Sequence, residues 1–230
     1  MICSNSIAQI RRLQNNPNYD DDKFHLGFSL GYNNMYFRMK PSSDLLFPSK
    51  CDSVYGLEVV SQAGFNLGMI SELNLSKYFS IRVLPGMNFG QRNIQYKMRD
   101  KNYPDSVVFY TYDMLIPSIF VELPILFRLK GMRINNYRPY IIGGGNIKYD
   151  LETRRKNQKN KDYSIKLKPV DFFFEIGAGM DFYLTYFKFS TEIKMSYGLK
   201  DILIHEPAIE YNKVIDQLKT KMFVLSFNFE

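Results

Sequence analysis

Residues 172–197, FFFEIGAGMDFYLTYFKFSTEIKMSY, hold two runs of strict alternation that meet across the short turn Thr185-Tyr186. The pattern predicts a β-hairpin. One set of alternate positions is apolar apart from a single Thr: Phe174, Ile176, Ala178, Met180 and Phe182, then Phe187, Phe189, Thr191, Ile193, Met195 and Tyr197. The other set carries Glu175, Asp181, Lys188, Glu192 and Lys194 among glycines and serines. Successive side chains on a strand point to opposite faces, so the hairpin has one apolar face and one face with charges of both signs. A soluble barrel or sandwich puts the apolar set inside; a membrane barrel puts it against lipid and turns the charges into the lumen. Periodicity is the same in both, and the layout of the connections has to decide.

Reading outward, similar runs recur along all 230 residues. Strands are predicted at about 24–39, 63–75, 79–96, 115–129 and 138–150, then the hairpin, then 221–230. The joints at 76–78, 130–137 and 185–186 are short. Those at about 40–62, 97–113, 151–169 and 199–220 are long, and the last contains IHEPAIEYNKVIDQLK, which can form a short helix. Eight strands with alternating long and short connections predict an all-β, eight-stranded antiparallel up-and-down transmembrane β-barrel of the outer membrane, both termini periplasmic. On this phase the lumen carries Glu72, Arg82, Glu122, Arg128, Glu175, Asp181, Lys188, Glu192 and Lys194. A soluble lipocalin-like binding barrel, with the apolar set inward, is the second fold. Pro85 and Pro124 fall within predicted strands, where each removes a ladder hydrogen bond and calls for a bulge or a partner. Gly143-Gly144-Gly145 lacks the Lys-Ser/Thr of a phosphate loop and reads as a bend in the fifth strand.

Composition agrees with strands: 17 Tyr and 19 Phe, with no Trp. Every apolar run is broken by charge before it reaches the length of a membrane helix. The first eight residues, MICSNSIA, end in a small-x-small pattern and read as the remnant of a secretory signal peptide. Residues 9–23 have no apolar period and read as a solvated periplasmic lead-in, with the barrel over 24–230. Cys3 and Cys51 predict no intrachain disulfide, and Cys3 is a candidate lipidation site. The net charge of +7 is spread along the chain, so nucleic acid is not expected as a partner. Asp20 to Asp22 beside His25 form an acidic run with no fixed ligand geometry, so no metal and no cofactor are expected. The loop 151–169 holds seven basic residues against Glu152 and Asp162 and offers anionic lipopolysaccharide a surface, though a merely solvated loop has the same composition.

An enzyme needs a fixed nucleophile or acid-base pair. His205 with Asp201, Glu206 and Glu210 is the one candidate cluster, and a solvated helical loop explains it as well. A narrow porin is a further alternative. Eight strands leave an interior that side chains fill, which disfavours conduction.

The wording of three segments adds to the pattern. Residues 79–96 (FSIRVLPGMNFGQRNIQY), 122–151 (ELPILFRLKGMRINNYRPYIIGGGNIKYDL) and 174–199 (FEIGAGMDFYLTYFKFSTEIKMSYGL) resemble the PorT family of Bacteroidetes outer-membrane barrels, a likeness that extends over about 24–229. That resemblance implies a non-enzymatic component of the type IX secretion system, which supports gliding motility in many members. It also implies outer-membrane lipid and other secretion proteins as partners.

Overall fold

The computed structural model describes residues 15–41, 54–99, 109–159, 166–204 and 215–230. Ten strands follow in order: β1 (Phe24–Pro41), β2 (Val54–Val60), β3 (Gln62–Asn74), β4 (Phe79–Val83), β5 (Gly86–Arg99), β6 (Phe109–Lys130), β7 (Tyr137–Asp150), β8 (Val170–Tyr183), β9 (Lys188–Gly198) and β10 (Ile215–Phe229). One helix, α1 (Leu151–Lys159), follows β7. Every pairing is antiparallel, and β1 bonds to β10 on one side and β3 on the other, so the sheet closes. The segments β2 and β3 form one wall position, and so do β4 and β5; the ring is eight-stranded.

Closure follows from the pattern of the side chains. Among the outward residues, Leu26 is 63% exposed, Ile176 53% and Ile193 51%, while Glu72, Arg82 and Arg128 have no exposed surface. In water such a wall would be an uncovered apolar surface; against hydrocarbon it has no desolvation cost. Cross-strand aromatic pairs tie neighbouring strands on this outer face, with Phe65 and Phe89 stacked at 4.8 Å and Phe28 and Phe229 at 4.9 Å between ring centroids. The hairpin keeps its predicted phase: Phe182 faces Phe189, Ala178 faces Ile193, and the turn closes through Leu184 N–H to Phe187 O at 3.0 Å.

Several local expectations change. The strand predicted over 79–96 breaks at Leu84-Pro85, because Pro85 has no N–H to give the ladder. Its carbonyl still accepts Met69 N–H at 3.0 Å, and the neighbouring Leu84 N–H is taken by the carbonyl of Pro124 at 3.3 Å, so the groups flanking the break keep partners. Gly143 to Gly145 do not interrupt β7, whose pairing runs through them to both β6 and β8. Strands reach further into the predicted loops than hydropathy shows: β2 lies within 40–62, β5 and β6 extend to Arg99 and Phe109, and residues 215–219 of the predicted helical stretch are extended in β10. There the backbone bonds continue above the apolar band, where side-chain hydropathy no longer alternates. The loop 151–169 opens instead as α1, whose first turn is capped by Asp150: its Oδ1 accepts the N–H groups of Glu152 and Thr153, each at 3.1 Å. Cys3, Cys51 and His205 lie outside the described residues.

The lead-in also departs from the solvated reading over its described part. Tyr19 stacks on His25, 4.2 Å between centroids and 9° apart. Asp20 pairs with Arg138 at 2.8 Å and accepts the Tyr183 hydroxyl at 2.9 Å. Asn15 and Asn16 donate side-chain amides to the carbonyls of Tyr183 and Leu184, and Arg133 returns bonds to both of their carbonyls. The segment therefore lies across the short-turn end of the barrel. Its attachment uses single polar groups and one ring, which leave no periodic trace in a sequence.

Candidate functional site

The interior of the ring is the most organised polar region of the molecule. Alternation brings every second residue of each strand inward, and these side chains meet at three levels. At the short-turn end Glu72 on β3 is the centre. It accepts from Ser80 Oγ at 2.8 Å, Arg82 Nε at 3.0 Å, Arg128 Nη1 at 3.0 Å and Lys130 Nζ at 2.6 Å. Arg82 reaches on to Glu230 at 2.5 Å and Glu192 at 3.4 Å, and Lys188 meets Glu230 at 2.6 Å. Arg128 pairs with Asp181, which also takes the Ser190 hydroxyl at 2.6 Å. Tyr140 donates to Glu192 at 2.8 Å, and the Arg128 guanidinium lies 3.5 Å from the centroid of the Tyr140 ring. Four carboxylates thus meet four cations, as dry interior charges require.

Midway, Lys148 pairs with Glu122 at 2.9 Å and Glu175 at 3.6 Å, and Lys194 bridges Glu175 at 3.8 Å and Glu192 at 3.5 Å. Asn146 donates to both Glu122 and Glu175. At the long-loop end Arg92 holds Asp150 at 2.6 Å, Ser118 at 2.9 Å and Thr220 at 3.0 Å, with the rings of Phe37 and Phe120 on its guanidinium. Above it Phe37, Ile94, Tyr96, Met114, Leu203 and Leu218 pack into an apolar plug.

All nine charged residues nominated from the sequence lie on the inner wall, and the bonds above connect them in one network. Lys130, Lys148 and Glu230 belong to it too, and Arg92 with Asp150 forms a separate buried pair at the long-loop end; none of the five is among the nine. Lys130 and Glu230 share the inward parity of Arg128 and Asn228, so alternation carried to the strand ends finds them. Lys148 was hidden by the phase lost at the three glycines. Of the candidate cluster around His205, Asp201 uses Oδ1 to accept the backbone N–H groups of Leu203 and Leu218. His205, Glu206 and Glu210 lie outside the described residues. His25 is buried beneath Tyr19 at the short-turn end.

A closed eight-stranded ring with an apolar outer wall and an ion-paired inner wall is a membrane β-barrel of the outer-membrane type. The family described as "Outer membrane protein beta-barrel domain" matches residues 8–203, and the chain belongs to it. No curated protein matches. Among solved structures, similarity is found to Ail, the attachment invasion locus protein of Yersinia pestis, in complex with the heparin analogue sucrose octasulfate; identity is 14%, the TM-score 0.38, and coverage 90% of this chain and 99% of that one. OprG from Pseudomonas aeruginosa is 14% identical with a TM-score of 0.41, covering 90% and 91%. The N-terminal β-barrel domain of Pseudomonas aeruginosa OprF is 11% identical with a TM-score of 0.31, covering 87% and 96%. Scores this low carry no inference about binding or activity.

Proposed function

We propose that this outer-membrane barrel is a non-enzymatic component of the type IX secretion machinery that works through contacts with other secretion proteins. The observation that carries the interaction role is the filled lumen. Interior charges such as Glu72, Arg82 and Arg128 are without exposed surface, and an apolar plug covers them at the long-loop end. Among the described residues such an interior offers solutes no hydrated path and a substrate no free acid-base pair, which supports an interaction role. The outer wall is committed to lipid, which leaves the loops and turns for partners. The specific machinery is what the resemblance of 79–96, 122–151 and 174–199 to the PorT family implies.

In this reading both termini and the three short turns face the periplasm, and the long connections face outward. The basic stretch 151–169, which begins with α1, then faces the lipopolysaccharide layer. A clean deletion tests the role: type IX cargo should accumulate in the periplasm while passive uptake of small solutes stays unchanged. Normal cargo export in the deletion would sink the secretion assignment. If His205→Ala alone reproduced the deletion, an enzyme would replace it.

A further inference from the structure

At the long-loop end of the outer wall the apolar surface stops on a row of bases. Outward positions on β1 run Leu30, Tyr32, Asn34 and Tyr36, then Arg38 and Lys40; on β10 Phe227, Leu225 and Phe223 give way to Lys221 and Lys219. The register sets Tyr36 opposite Lys221 and Arg38 opposite Lys219. Lys221 is also opposite Tyr197 of β9, and its ammonium lies 4.8 Å from that ring and 5.6 Å from the ring of Tyr36. Just above, Arg38, Lys40, Gln217 and Lys219 line a hollow of about 260 Å³.

Two like charges directly opposite on adjacent strands repel. Among the described residues Asp216 answers Lys40 at 3.1 Å, and neither Arg38 nor Lys219 has an ion-pair partner. On the adjoining wall, in contrast, Lys97 is neutralised by Glu58 at 3.0 Å, and Gln95 faces Asp113 across β5 and β6. Among the described residues, Arg38 and Lys219 are the one pair of bases set directly opposite each other on neighbouring strands, and they lie directly above an aromatic pair that marks the hydrocarbon boundary.

We propose that this basic step binds a phosphate of lipid A, the membrane anchor of lipopolysaccharide. Arg38 supplies the planar fork that fits phosphate oxygens, Lys219 and Lys221 supply point charges, and Tyr36 and Tyr197 lie against the first methylenes of the acyl chains. A bound phosphate also removes the Arg38–Lys219 repulsion. The proposal rests on the outward orientation of the long loops given above, and it adds a site on the barrel wall distinct from the stretch 151–169.

The test is native mass spectrometry of the full chain in detergent, titrated with phosphorylated lipid A, the same lipid A with its phosphates removed, and phosphatidylglycerol. Phosphorylated lipid A should form a one-to-one adduct that the other two lipids do not match. The double variant Arg38→Gln, Lys219→Gln should weaken that adduct about tenfold or more, as loss of charge-assisted bonds predicts. Lys97→Gln, on the neutralised wall, should leave it unchanged. Arg38 is exposed and Lys219 half-buried, both on the outward face, and heat-modified migration of the barrel checks that the variants fold. Equal binding of dephosphorylated lipid A, equal binding of phosphatidylglycerol, or full retention by the double variant would overturn the proposal. Binding in detergent does not depend on orientation. A Cys at position 157 that is shielded from impermeant reagent in intact cells would overturn the topology, and lipopolysaccharide as the occupant with it, even if the detergent adduct forms.

Discussion

Glu72 on β3 and Arg128 on β6 are hydrogen bonded at 3.0 Å although β4 runs between their strands. The bond reaches over a strand through the lumen, so it joins wall positions that share no ladder. Replacing Glu72 leaves Arg82, Arg128 and Lys130 short of an acceptor at once. Removing one partner of a buried ion pair costs roughly 3–5 kcal/mol. Glu72→Ala should lose about that much folding stability in urea titrations into vesicles. A loss under about 1 kcal/mol, no more than an exposed pair is worth, would show that water, not the pair, solvates these charges.

The outer wall is tested separately. Ile193 is outward, half exposed, and paired with Ala178 and Leu225, while its neighbours Glu192 and Lys194 are buried. An Arg at a mid-membrane lipid-facing position costs about 2–4 kcal/mol. Ile193→Arg should be destabilised by that amount in bilayers, and a variant as stable as the parent would contradict the register.

Asp150 has two duties at the long-loop end. Its Oδ2 holds Arg92 and the Thr153 hydroxyl, and its Oδ1 caps α1. Loss of a cap costs about 0.5–2 kcal/mol, and the stranded Arg92 charge adds to that. Asp150→Ala should therefore destabilise the protein more than Thr153→Ala, which removes one hydroxyl bond. The reverse order in thermal unfolding would mean that Arg92 is satisfied without Asp150.

Much of this architecture is visible in the sequence because a barrel wall imposes period two over long runs. The segment 172–197 shows it most clearly: one chemical change per residue sets each side chain inward or outward, and the structure keeps that phase across both strands and the turn. Legibility fails where the determinant is not side-chain hydropathy. The break at Pro85 follows from a missing N–H, and the acceptor for the neighbouring Leu84 N–H is Pro124, 39 positions beyond Pro85 in the sequence. The helix α1 is short and strongly polar, and the cap that starts it was hidden as the last residue of a strand. Lys148 was lost because glycines carry no phase. The Arg38–Lys219 step was invisible until register brought together two residues from opposite ends of the chain.

The lead-in gives the last prediction. Burial and the charge of Glu230 both push the Tyr19 phenol above its ordinary pKa, so the ring that covers His25 stays neutral, and the Lys188 ammonium lies 4.9 Å from its centroid. Asp20 supplies the one carboxylate that ties this segment to Arg138 and Tyr183. The contacts are few and partly open to water, so their loss should free the segment without unfolding the ring behind it. Stability is local in this sense, and backbone exchange reports it strand by strand. In the double variant Tyr19→Ala, Asp20→Ala the amides of Tyr19 and Asp21, which donate to the carbonyls of Asn16 and Asn18, should exchange at the rate of an unstructured chain. Protection in β1, β9 and β10 should persist, because their ladders do not pass through the lead-in. If exchange instead rises across those strands together, the lead-in is part of the cooperative core and not a cover laid over a finished barrel.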